Sequence, residues 1–146
     1  MKPLRRATIG TSAVLFAATG IAAAGAGTAH AAQSCGFDFT WSQPMVLAPQ
    51  IIARGIAQCD VPPEEHILTL ALEYQNHGVW ENATYRTDRT IPPGPPNFAS
   101  YEVSAACYAG TWRMTMNVTG SLRGQPFAFS DHSQSRDIPP SQCPSR

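Results

Sequence analysis

The chain is 146 residues long and formally neutral, with 10 basic and 10 acidic residues, 13 prolines, 11 glycines and four cysteines. Three of the basic residues, Lys2, Arg5 and Arg6, fall in the first six positions, so from residue 32 onward 7 remain against 10 acidic ones. The net charge there is −3, with no lysine. That balance offers no basic patch for phosphate and excludes nucleic acid as an expected partner.

In chain order, the first feature is a secretory signal. MKPLRR supplies positive charge, TIGTSAVLFAATGIAAAGAG is an apolar run of small residues, and Ala29-His30-Ala31 has the small-x-small form of a cleavage site. Gly and Thr dilute the run, and no basic stop-transfer cluster follows it, so a membrane anchor is not expected after cleavage. The expected division is a signal peptide over 1–31 and one secreted domain over 32–146. A domain of that length has a core of its own, and small exported domains commonly add disulfides.

All four cysteines, Cys35, Cys59, Cys107 and Cys143, lie in the secreted part. Their wide spacing lacks the close ligand pairs of a zinc site and reads as two disulfides, with no metal and no cofactor expected. Between them, apolar and polar residues alternate. Phe37, Phe39 and Trp41 share one face; so do Leu68, Leu70, Leu72 and Tyr74, then Tyr101, Val103, Ala105 and Cys107, then Trp112, Met114, Met116 and Val118. Phe127 and Phe129 form a shorter case. A period of two means half-buried strands. IIARGIAQC and VWENATYRTD add two less regular strands, and alternation along the second puts Trp80 and Tyr85 on opposite faces. PMVLAPQIIA has slight helical character, which Pro44 and Pro49 limit to about one turn.

Pro62-Pro63, Asn76-His77-Gly78, IPPGPP, Ala109-Gly110 and Arg123-Gly124 punctuate the junctions with turn chemistry, and CYAGTWR reads as a tight hairpin at Ala109-Gly110. The fold class that follows is all-β: a single antiparallel sandwich or small barrel of about seven strands, stapled by two disulfides. If each connection reverses the chain, Cys35 and Cys59 meet at one end of the domain and Cys107 and Cys143 at the other. Cys35–Cys59 with Cys107–Cys143 is therefore the expected pairing.

CDVPPEEH, Cys59 to His66, is the densest cluster of chemical groups. Asp60, Glu64 or Glu65, and His66 would suit a cation if the loop folded inward, but the spacing fits neither the H-E-x-x-H zinc motif nor a calcium loop. An exposed turn is the plainer reading. Parity also brings His77 near Asp131, His132 and Asp137, where a polar turn beside a polar tail is the plainer alternative to a metal or acid–base site. Ser133 beside His132 makes no catalytic pair, because neighbours on an extended chain point apart. No catalytic set is expected.

IPPGPPNF is the most distinctive loop, and Ile91, Pro92, Pro93, Pro95, Pro96 and Phe98 are its candidate binding residues. It reads either as a rigid crossover or as a pre-organised contact loop. Asn82 in NAT and Asn117 in NVT match glycosylation sequons. The expected function is a secreted binding or structural module for an extracellular protein or carbohydrate. The two rivals are a protease inhibitor presenting the Pro-rich loop, and a small secreted hydrolase or metal-dependent enzyme using His66 or the His77/His132 end.

Overall fold

The structure, a computed structural model, describes residues 34–146, so the expected signal segment 1–31 lies outside the described residues. The strands are β1 (Cys35–Phe39), β2 (Met45–Leu47), β3 (Gln50–Cys59), β4 (Glu65–Asn76), β5 (Val79–Asp88), β6 (Ala99–Ala106), β7 (Gly110–Leu122), β8 (Gln125–His132) and β9 (Arg136–Ile138). No helix occurs among the described residues. Two short strands, β2 and β9, raise the count above the seven expected; at three residues each they are too brief for alternation to reveal. PMVLAPQIIA is not helical at all, because Met45–Leu47 folds back along Ile52–Gln50 as a strand.

The strands make two antiparallel sheets, a sandwich rather than a barrel. In the smaller sheet β3 is central, with β6 on one side while β1 and β2 share the other. The larger sheet runs β5-β4-β7-β8, and β9 occupies the same side of β7 as β8, beside its first residues. CYAGTWR is consequently not a hairpin: β6 belongs to one sheet and β7 to the other. The Cys107 and Ala109 amides donate to the Pro49 and Pro144 carbonyls, which holds this segment as a crossover at the end of the sandwich. True hairpins occur at His77-Gly78 and Arg123-Gly124, where all four residues have positive φ, the backbone that suits the twist of paired strands.

The core follows from the alternation. Leu68, Leu70 and Leu72 of β4 and Trp112, Met114, Met116 and Val118 of β7 face Ile51, Ala53 and Ala57 of β3 and Tyr101 and Val103 of β6, and all are buried. Each large side chain so buried stabilises the fold by about 1.5–3 kcal/mol. The Trp112 indole N–H donates to the Tyr108 carbonyl at 2.9 Å, so its one polar atom is satisfied.

The disulfides are Cys35–Cys59 and Cys107–Cys143. Cys35 and Cys59 are register partners at one end of β3, whereas Cys107 follows Ala106, the partner of Gln50 at the other end. With sequence separations of 24 and 36 between the joined cysteines, each bridge constrains the unfolded chain by about 3.5 kcal/mol.

Gly120 of β7 lies where a Cβ would run into the Glu65 carbonyl oxygen and the Phe127 ring. The ring can turn aside, but the carbonyl belongs to the β4 backbone. Gly120→Ala is therefore expected to destabilise the protein by about 1–3 kcal/mol, read as a lower urea midpoint with an unchanged slope.

Candidate functional site

Alternation that sends leucines and methionines inward sends a different set outward. On the outer face of the larger sheet, register places side chains from four strands in rows. Tyr85 pairs with Ala71, Ala71 with Thr115, and Thr115 with His132. The neighbouring row is Thr87–Thr69–Asn117–Ser130, and beyond the first row lie Asn82, Glu73 and Arg113. Ala71 and Thr115 are small and central, whereas Tyr85 and His132 stand at the sides. The result is a groove of about 760 Å³ across the sheet, completed by Asp131 and Met116. Its size is that of a small-molecule site.

The polar groups of this groove are mostly neutral or already paired. Arg113 donates through Nε to Glu73 Oε2 at 2.6 Å, and its guanidinium lies 4.2 Å from the centre of the Trp80 ring. Both partners of the ion pair are largely shielded from solvent, so the Arg fork is held rigid between carboxylate and indole. His132 Nδ1 is 3.0 Å from the Ser133 carbonyl oxygen, which can only accept. That contact places the neutral ring's proton on Nδ1 and leaves Nε2 as acceptor. Tyr85 is 65% exposed, a large aromatic surface beside a hydroxyl- and amide-lined floor.

One expectation fails here for a definite reason. Trp80 and Tyr85 do not lie on opposite faces. A β-bulge shifts the register between Leu72 and Glu73, so that Leu72 pairs with Thr84 and Glu73 with Asn82. The extra residue, Ala83, reverses the parity of β5 and brings both aromatics to the outer face.

The other sequence candidates are scattered. His77 occupies the exposed β4–β5 turn and Asp137 accepts from the Thr111 hydroxyl at 2.6 Å, apart from the groove that His132 and Asp131 line. Ser133 is buried and structural: its Oγ accepts from the Met114 amide and donates to the Gln134 carbonyl. In the Pro-rich loop, Pro92 is buried while Ile91 and Phe98 are 38% and 55% exposed. Pro93, Pro95 and Pro96 are exposed as well. The loop is strapped to β3, since the Cys59 amide donates to the Pro93 carbonyl and the Gln58 side chain donates to the Asn97 carbonyl.

CDVPPEEH is only partly the exposed turn expected. Asp60, Val61, Glu64 and Glu65 are exposed, but His66 is only 1% exposed and neither of its ring nitrogens has a hydrogen-bond partner in the protein. The signal was present: His66 continues the series Leu68, Leu70, Leu72 by one inward position. Burial pushes its imidazole below the ordinary value of 6.5, opposed in part by the Asp88 carboxylate. Asp88 itself accepts from the Thr90 amide, which holds its carboxyl below the usual range.

The sequence matches no protein-family model, and no curated protein is similar to it.

Because folding lowers the His66 pKa, the unfolded chain takes up a proton that the folded one resists. Stability is expected to fall as pH drops below about 6.5 and to level off once the folded pKa is passed. Thermal melts from about pH 7 to about pH 5 check this, with His66→Leu expected to flatten the profile over that window.

Proposed function

We propose that this protein is an exported binding module for carbohydrate, with the ligand lying in the groove across the outer face of β5-β4-β7-β8. The observation that carries this reading is the cross-strand row Tyr85–Ala71–Thr115–His132: an aromatic wall, a recessed floor and a hydrogen-bonding wall on one rigid sheet. A sugar has an apolar C–H face and a rim of hydroxyls. Tyr85 suits the first, while Thr69, Thr87, Asn82, Asn117 and Ser130 suit the second, each able to donate and accept. The charged pair Glu73–Arg113 neutralises itself, which favours an uncharged ligand over a phosphate or a peptide carboxylate. A peptide strand would instead seek free backbone along a sheet edge, which this face does not provide.

Export rests on the charged, apolar and small-residue layout of residues 1–31, and two disulfides accord with an oxidising compartment. No helix among the described residues is long and apolar enough to cross a membrane. Binding rather than turnover is the role proposed.

A second reading draws on a different observation, the strapped Pro-rich loop with Ile91 and Phe98 exposed. It would present those residues to another extracellular protein, such as a protease, at little entropic cost.

Titration of neutral oligosaccharides into the labelled protein tests the first reading. Shifts in the Tyr85, Thr115 and His132 resonances are expected, and Tyr85→Ala is expected to weaken binding by at least about tenfold. If no neutral sugar moves these resonances while a protease forms a stable complex that Phe98→Asp abolishes, the function belongs to the loop instead.

A further inference from the structure

Where β1, β3 and β4 meet, His66 lies against the Cys35–Cys59 disulfide. One imidazole nitrogen and the two sulphurs fall within 4.8 Å of one another, and all three residues are buried. This is the only group of three such side chains gathered so closely among the described residues. We propose that Cys35, Cys59 and His66 form a latent zinc site, closed while the disulfide is intact and opened by its reduction. It is independent of the sugar-binding groove and does not rest on that reading.

Three observations support it. The first is the orphaned histidine. An imidazole whose donor and acceptor are both buried without partners is costly to the fold, and coordination would satisfy its lone pair. The second is ligand chemistry. Two thiolates and a neutral imidazole form a Cys₂His set with one position open to water, a set zinc accepts. In tetrahedral zinc sites ligand atoms lie about 3.5–4 Å apart; once the bridge is reduced the sulphurs have to part and the imidazole nitrogen, already within 4.8 Å, has little distance to close. The third is charge. Two thiolates cancel the charge of Zn²⁺, and a neutral complex suits a buried place, whereas Cu⁺ in the same set would leave a net negative charge there.

The chemistry balances with a thiol reductant. A dithiol transfers two electrons and two protons to the Cys35–Cys59 bond, which becomes two thiols while the dithiol becomes a disulfide. Zinc then binds the thiolates and both protons pass to water. The bridge sits at the end of its ladder, with Cys35 opening β1 and Cys59 closing β3, so a reductant needs to part only the last strand pair to reach it.

The test reduces the full protein, removes the reductant without air, and adds Zn²⁺ or its coloured substitute Co²⁺ while circular dichroism follows the fold. The Cys107→Ser/Cys143→Ser variant isolates the site. Reduced wild type and this variant are expected to bind one zinc ion per chain with proton release and, with Co²⁺, thiolate-to-metal charge-transfer absorption. The oxidised protein is expected to show neither. His66→Phe is expected to weaken binding by more than the about 10–100-fold that outer partners of a ligand are worth. If reduction loosens the fold, zinc restores it in wild type and not in His66→Phe. Any one of three results overturns the proposal: no zinc uptake by the reduced variant, equal uptake after His66→Phe, or a reduced chain that unfolds and that zinc does not refold.

Discussion

From Glu65 to Tyr74, every residue of β4 has a partner in β7 between Ser121 and Trp112, and this ladder is the constraint from which the rest of the molecule follows. Each residue of the pair commits its side chain to one of two faces. The inward positions supply Leu68, Leu70, Leu72, Met114, Met116 and Val118 to the core. The outward positions supply Thr69, Ala71, Glu73, Arg113, Thr115 and Asn117 to the groove. A one-residue slip would exchange the two sets, burying the Arg113–Glu73 pair and exposing the leucines. Core and groove are thus two consequences of one register.

The side walls depend on the strands that flank this ladder. On β5 the bulge at Ala83 converts a parity that would separate Trp80 from Tyr85 into one that unites them. Trp80 is then free to cover the Arg113 guanidinium, which in turn holds Glu73. On the other flank, Ser133 bonds to the Met114 amide and carbonyl and carries the chain from β8 toward β9. Its own carbonyl fixes the His132 ring. Neither wall residue is held by its own strand alone.

Much of the fold was legible because its signals are local or nearly so. The alternation of Leu68–Tyr74 and Trp112–Val118 reports two half-buried strands, and Gly after His77 and Arg123 reports two hairpins. Strand direction sufficed to pair Cys35 with Cys59 and Cys107 with Cys143. Sheet membership was not legible, because Ala109-Gly110 has the same chemistry whether the chain reverses within one sheet or crosses to the other. The Ala83 bulge was hidden for a similar reason: an inserted alanine in VWENATYRTD leaves no compositional trace. The groove could be assembled only once β5, β4, β7 and β8 were known to be neighbours. The burial of His66 was not legible because its polar companions Glu64 and Glu65 suggest solvent, although its parity with Leu68 points inward.

The two bridges also determine how the domain would carry a load. Tension applied near the two ends of the domain enters β3 through Cys59 and β6 through Cys107, since Cys35 and Cys143 are bonded to those residues. β3 and β6 are antiparallel partners from Gln50–Ala106 to Ala57–Ala99, and the two entry points lie at opposite ends of that ladder. The strands would be drawn past each other along their length, so all of their mutual hydrogen bonds resist together instead of parting one by one. A module built this way meets stretching in shear, the geometry in which a short sheet is hardest to pull apart.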